Sequence, residues 1–462
     1  MGAQAKGTAA ERKGSGLPFG ISGLGGDCVV SRGERWPAAA VPQRDGRELA
    51  DMAGRDWLDA VLGLGPEWKV TRVEPVREPK ELRVELERTG RSPLRCPRCG
   101  EACPGYDTRR REWRNLDAWG YKTFLVCSVP RVQCPEHGVV TIRVPWAEGS
   151  SRYTAQFEAE VIAWLKEASV RAVGGRMRLS WNAVDGIMQR AVARGLARRK
   201  TEAVRRLSVD ETSFRRRHQY VTVVSNPETG RVLHVAPGRG KDVLMAFYES
   251  LGEKRRAAVE SVSMDMWAPY ISATRAMIPD AVMKIAFDRF HVARHLGDAV
   301  DRVRRAEHRA LVKEGNGILA GTRWQWLKGP SRKTHAEKLA FARLRTGTRR
   351  TARAWELKEA ATNLWNYRSR AWALAGWHRW LEWASGCGLE PVLKAARMIR
   401  DHLWGIVNAI ILRATNGPAE GINSRIKTVK VRSRGFRNRE RFANAILFHL
   451  GGLDLYPDSL PA

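Results

Sequence analysis

The sequence contains no run of 18 apolar residues free of charge, and its first residues, MGAQAKGTAAERKGSG, lack the apolar core of a secretory signal. Both absences predict a soluble cytoplasmic protein with no membrane partner. Cysteine is scarce, seven in 462 residues, which excludes a disulfide-stapled scaffold. Acidic residues are also in short supply: 49 Asp and Glu face 80 Lys and Arg, a formal charge of +31. Such a load is relieved beside a polyanion. Nucleic acid is the first partner expected, because each cation that meets a phosphate releases condensed counterions. No phosphate-binding loop is present, since PGRGK at Pro237 to Lys241 lacks both the spacing and the hydroxyl, and ATP use is not indicated. His291 and His295 lie four apart without an H-E-x-x-H pattern and read as partly exposed residues of a basic helix. His218, at the start of a predicted strand, reads equally well as structural.

What cysteine there is sits together: five of the seven fall between Cys96 and Cys134. CPRCG places Cys96 and Cys99 on one turn, and CPEH places Cys134 and His137 on another, the paired knuckles of a four-ligand structural zinc site. Cys103 and Cys127 are surplus, and Cys127, on the alternating stretch YKTFLVCSV, reads as a small buried core residue.

Five changes of pattern divide the chain. Residues 1–50, rich in Gly, Ala, Arg and Pro, predict a flexible arm. Residues 51–145 hold a short helix at WLDAVLGL, a hairpin in WKVTRVEPVREPKELRVELER, and the zinc knuckles. Residues 146–200 predict a helix ending near Leu165, another over Ser169 to Met177, and a third from Trp181 to about Arg194 capped by Ser180. That is helix-turn-helix spacing, with Trp181, Asn182, Asp185 and Gln189 toward the front of the last helix and the basic ARRKTEAVRR behind it. Residues 201–297 alternate strands and helices, residues 298–400 form a helical block, and residues 401–462 close the chain. Nine of the 18 tryptophans lie between Trp324 and Trp404.

From Arg206 the order is three strands beginning with a hairpin (RLSVDETSF, HQYVTVVSN, RVLHVAP), a helix, a strand (VESVSMDM), a helix and a strand (AVMKIAFD). This is the order of a ribonuclease-H-like α/β core, in which the first and fourth strands are neighbours. Asp210 and Asp265 then end adjacent strands. Paired carboxylates are the hard oxygen ligands that magnesium or manganese needs for phosphoryl transfer. Glu211 should point to the opposite side and support the site. A third acid commonly completes such a site; Asp288, after an apolar strand, and Glu420, at the head of a basic run, both qualify.

Taken together, CPRCG with its later knuckle, the helix-turn-helix, LSVDETSFRRRHQYVTVV, SVSMDMWAPY, IAFDRFHV and NGPAEGINSRIKTVKVRSRGFRNRERFANAIL resemble the ISL-three family of insertion-sequence transposases of the DDE type, over about residues 55–455. The resemblance implies Asp210, Asp265 and Glu420 as the catalytic, magnesium-holding acids and favours Glu420 over Asp288. It implies metal-dependent cleavage at the terminal inverted repeats and transfer of the freed strand to target DNA, a helical insert that contacts DNA or a partner subunit, and a homodimer that pairs two ends. His137 departs from a frequent family cysteine but remains a competent zinc ligand. The cations after Glu420, namely Arg425, Lys427, Lys430, Arg432, Arg434, Arg437, Arg439 and Arg441, read as a phosphate track beside the acids. A non-catalytic DNA-binding regulator and a nuclease without strand transfer are the rival readings.

Overall fold

A computed structural model describes residues 56–200, 204–215, 219–414 and 417–458, so the arm over 1–50 and His218 lie outside the described residues. The first unit opens with α1 (Asp56–Leu62) and the expected antiparallel hairpin of β1 (Trp68–Val76) and β2 (Glu81–Arg88). It continues with β3 (Gly105–Arg114), β4 (Lys122–Cys134) and β5 (Gly138–Thr141). The strand order is β1-β2-β4-β3, with β5 on β4. Trp146 packs edge-on against Trp68 and Trp113 at 5.0 and 5.4 Å, giving this small sheet a core that short aliphatic side chains could not fill. Cys127 is buried in that core, as its alternating context predicts.

At the far end of β4 the two knuckles meet. Sγ of Cys99 lies 3.7 Å from that of Cys134, and Nδ1 of His137 lies 3.8 Å from Sγ of Cys96 and 3.6 Å from Sγ of Cys134. A tetrahedron of thiolates about 2.3 Å from zinc has edges of roughly 3.8 Å, so these side chains fit the ion. Mutual repulsion also shows: Cys99 is raised to about 11, where a backbone hydrogen bond at Glu101 pulls down but burial and the neighbouring thiols push up. Cys134 is lowered to about 6, burial being outweighed by hydrogen bonds from the backbone and ring of His137. A dication relieves that crowding.

Three helices follow, α2 (Ala155–Glu167), α3 (Val170–Met177) and α4 (Trp181–Arg198). Thr154, Ser169 and Ser180 cap them, each side-chain oxygen accepting from the backbone N–H three residues on. Helix α4 runs past the expected end at Arg194 because Arg194 and Arg198 donate to the carbonyls of Leu455 and Tyr456 at the C-terminus. The apolar centre of this bundle is completed by Val429, Ala445, Phe448 and Leu455 from the same end of the chain.

The central sheet holds β6 (Arg206–Arg215), β7 (Gln219–Asn226), β8 (Arg231–Pro237), β9 (Ser261–Met264) and β10 (Ile285–Phe287) in the order β10-β9-β6-β7-β8. β6 to β8 form an antiparallel meander, and β9 and β10 run parallel to β6, an arrangement consistent with a ribonuclease-H-like core. Between them lie α5 (Lys241–Leu251), α6 (Glu253–Ala257), α7 (Ala268–Met277) and α8 (Ala281–Lys284). The last of these corrects the sequence expectation of a strand throughout AVMKIAF. Lys284 would stand opposite Ser261, the first residue of β9, and the residues before it would pair beyond that strand's N-terminal end, so they close into a helical turn instead.

Helix α9 (Arg289–Lys313) starts directly after β10 and passes unbroken through position 298, so the boundary expected there falls inside a helix. The insertion continues with α10 (Arg323–Leu327), α11 (His335–Thr346), α12 (Arg349–Asn363), α13 (Arg370–Ser385) and α14 (Glu390–Asp401). Its tryptophans divide: Trp326, Trp355, Trp377 and Trp380 are buried, whereas Trp324 and Trp372 are 70% and 63% exposed. Helix α15 (Leu403–Ile411) then returns to β10. Gly405 makes this approach possible, since a Cβ there would lie 2.4 Å from the Phe287 ring. Helices α16 (Gly417–Arg432) and α17 (Arg439–Leu450) cover one sheet face through Ile422, Ile426, Phe442 and Ile446, opposite the face covered by α5 and α7.

Two outcomes follow from these contacts. Buried Asn408 donates to the carbonyls of Val282 and Ile285 at 2.7 and 2.9 Å and accepts from Arg370. Asn408→Ala removes all three hydrogen bonds, at about 0.5–1.5 kcal/mol each, and leaves the buried Ile285 carbonyl without its partner, so denaturant stability should fall by roughly 2–4 kcal/mol. Protein purified without chelator should carry one zinc per chain, and Cys99→Ser should lose it; full occupancy in that variant by metal analysis would refute the four-ligand site.

Candidate active site

The parallel register does the first part of the assembly. Leu207 pairs with Val262 and Ser208 with Ser263, so the same register carried forward sets Asp210 beside Asp265. Phe287 pairs with Met264, which sets Asp288 on the other side of Asp265. Neighbouring strands lie about 4.8 Å apart, so three aspartates form a row across the end of the sheet.

Each is held differently. Oδ1 of Asp210 accepts from the Glu211 backbone N–H at 2.7 Å, and Oδ2 accepts from the Asn423 amide at 2.6 Å. Burial raises the proton affinity of Asp210 above the usual aspartate range; its hydrogen bonds oppose this and the charge of Asp265 adds to it. Oδ1 of Asp265 accepts from Met266 N–H. Oδ1 of Asp288 caps α9, accepting from Phe290 N–H at 2.9 Å. Between these two stands His291, with Nδ1 3.4 Å from Asp265 and Nε2 3.6 Å from Asp288. The sequence reading of His291 as a partly exposed basic-helix residue missed this. The available signal was D-x-x-H at a strand-to-helix junction, where a capping acid and the residue three later share one helix face.

Glu420 lies exposed in the first turn of α16, one turn before Asn423. Its helix is therefore docked on Asp210, across 213 residues of sequence. Among the described residues, the only metal-suited group whose ligand atoms all lie within 4.8 Å of one another is the cysteine-histidine cluster. Asp210, Asp265 and Glu420 share a region without being drawn to that spacing. The donor set suits a hard divalent cation, which would relieve the buried charge of Asp210 and its repulsion with Asp265. Glu211 lies 3.5 Å from Arg239, whose guanidinium sits over the rings of Tyr220 and Trp267. Burial raises the pKa of Glu211 as well.

The helix-turn-helix front meets the basic C-terminal segment. Arg441 lies 4.5 Å over the Trp181 ring, 3.0 Å from the carboxylate of Asp185 and 3.4 Å from Oδ1 of Asn182. Asp185 is buried and also accepts from Gln189, so it faces the protein rather than the outside. Part of the basic track is committed in the same way. Arg425 donates to Gly230 O, Lys430 to Ser213 O, and Arg432 to the carbonyls of Lys166 and Glu167. Lys427, Arg434 and Arg439 are exposed and carry no ion pair among the described residues. Arg434 and Arg437 line, with Trp181 and Phe436, a cleft of about 1080 Å³ between α4 and the end of α16. No described helix is long and apolar enough to cross a membrane.

Family models match this arrangement unit by unit. A zinc-finger of transposase IS204/IS1001/IS1096/IS1165 matches residues 92–137, a helix-turn-helix domain of transposase family ISL3 matches 142–192, and the ISL3 DDE transposase model matches 207–446. The transposase for insertion sequence element IS1557 of Mycobacterium tuberculosis is 31% identical over 388 residues, covering 78% of this chain and 86% of the relative. The transposase for insertion sequence element IS1001 of Bordetella parapertussis is 27% identical over 387 residues, covering 82% and 95%. With a zinc-knuckle sheet, a helix-turn-helix and an α/β core all accounted for, the chain belongs to the ISL3 family of DDE transposases, DNA-binding enzymes of polynucleotidyl transfer.

Proposed function

We propose that this transposase binds the terminal inverted repeats of an insertion sequence as double-stranded DNA, cleaves a strand at the element's end, and joins the freed 3′-hydroxyl to target DNA. Asp210, Asp265 and Glu420 are the catalytic acids and hold magnesium or manganese. The observation that carries this reading is the shared strand register of Asp210 and Asp265, with the helix of Glu420 tied to the first by Asn423. Divalent cations bound there supply Lewis-acid activation of water or of a 3′-hydroxyl and neutralise charge on the transferring phosphate. Asn423 keeps one oxygen of Asp210 in place, Asp288 and His291 fix the far side of Asp265, and the exposed cations beside α16 hold the DNA backbone. No protein side chain is needed as a nucleophile. Trp181, Asn182 and Gln189 approach the repeat from α4, with Arg441 moving between Asp185 and a phosphate. A homodimer is the simplest assembly that pairs two ends.

Two experiments test this reading. Asp210→Asn, Asp265→Asn and Glu420→Gln should each abolish cleavage and joining of terminal-repeat duplexes in magnesium while retaining end binding. A wild-type chain that binds without cutting supports a regulator, and one that cuts without joining supports a simple nuclease; cleavage by any of the three variants removes that residue from the site. Neutralising Lys427, Arg434 and Arg439 together should weaken binding to all sequences and reduce the salt dependence of log K by about 2–3 units of slope, from roughly 0.9 per phosphate contact. An unchanged slope would reject the phosphate track.

A further inference from the structure

Asp288 and Glu420 also line a cavity of about 620 Å³ whose other walls come partly from the helical insertion. Phe290, Trp365 and Tyr367 give it aromatic surface, and Arg289, Arg368 and Arg413 give it charge. The aromatic side is built rather than incidental. Tyr367 rests against Gly376, where a Cβ would lie 2.6 Å from its ring, so α13 is shaped to receive it. Trp365 stands edge-on to buried Trp377 at 6.3 Å, with the Arg289 guanidinium 5.7 Å from its ring centroid. Phe290, two residues beyond the aspartate that caps α9, keeps 53% of its surface exposed. None of the three arginines is ion-paired among the described residues, although two carboxylates share the cavity with them.

We infer that this cavity receives one unstacked deoxynucleotide adjoining the scissile phosphate, its base against Trp365 and Phe290 and its phosphates at Arg289, Arg368 and Arg413. This inference rests on the assignment of Glu420 to the active site and adds a substrate subsite to it. Three lines of argument select the occupant. Pockets of about 300–1,000 Å³ enclose a single small organic unit, so a nucleotide fits and a duplex does not. Aromatic faces bind any base by stacking, and excess cationic charge requires an anion. The position beside Asp288 and Glu420 leaves the nucleotide next to the reacting phosphodiester as the DNA segment within reach. Unstacking that nucleotide bends the strand away from the duplex and exposes the phosphate to the acids, with stacking on the protein offsetting the loss. The helical insertion thereby contributes to the active site through the turn at residues 364–369.

The test uses the full chain and terminal-repeat duplexes carrying 2-aminopurine on either side of the scissile phosphate. In the Asp210→Asn background, which binds without cutting, fluorescence should rise severalfold at one flanking position, and the added change Trp365→Ala should remove the rise. With Asp210 intact, Trp365→Ala should slow cleavage at saturating DNA about 10–100-fold with end binding unchanged, Trp365→Phe should restore most of the rate, and an abasic site at the same position should bring wild type and Trp365→Ala close together. Exposed Arg368→Ala provides a second variant that leaves the packing of Trp365 untouched and should also slow cleavage. Silence of 2-aminopurine at both flanks, or wild-type cleavage by both Trp365→Ala and Arg368→Ala, overturns the subsite while leaving the catalytic acids standing. Cleavage by Asp210→Asn would instead remove the assignment of the acids, with the fluorescence still reporting on the cavity.

Discussion

Parallel pairing of β9 with both β6 and β10 is the constraint on which the site depends. It carries three aspartates from distant segments into one row, and a slip of one residue would turn Asp265 to the other face of the sheet. Because β9 has only four residues and β10 three, backbone pairing alone offers little resistance to such a slip. The resistance comes from α15, where Asn408 bonds one carbonyl within α8, that of Val282, and the first carbonyl of β10, that of Ile285, and Gly405 lets the helix lie against Phe287. The edge strand is thus held from both ends of the helical insertion: α15, which follows it, packs on β10, and α9, which leads into it, is the helix that Asp288 caps.

The C-terminal segment plays the corresponding role for the rest of the molecule. Helices α16 and α17 supply apolar residues to two cores, Ile422 and Phe442 to the sheet and Val429 and Phe448 to the helix-turn-helix. One continuous stretch thus joins the acids to the unit expected to read DNA. Its arginines serve the same junction. Arg432 reaches the carbonyls at the end of α2, and Arg441 spans Trp181 and Asp185 on α4. Charge that looks uniformly free in the sequence is divided between docking the protein's own domains and facing outward.

Local patterns were legible from the residues alone. Two ligands three apart on a tight turn make a knuckle wherever they occur, so CPRCG and CPEH identify their site before folding is considered, and the packed knuckles show spacings suited to zinc. Alternation exposed the hairpin and the succession of strands and helices, and the cap at Ser180 was readable because capping acts over three residues. The D-x-x-H spacing puts His291 on one helix face with Asp288, but nothing local set Asp265 beside it or distinguished Asp185 from an outward-facing polar residue. Their environments come from Asp265, Asp288 and Arg441, of which two belong to other elements.

The sequence by itself determined the chemistry available: a soft four-ligand set, strand-end carboxylates, and a large excess of cations. Tertiary structure decided what those groups face. It set Asp210 beside Asp265, brought α16 to Asp210 through the side-chain amide of Asn423, and placed the rings of the insertion against the cavity of Glu420. The reason is physical: ligand type and turn spacing are properties of a few adjacent residues, whereas strand register, helix docking and burial are set by contacts between residues tens to hundreds of positions apart.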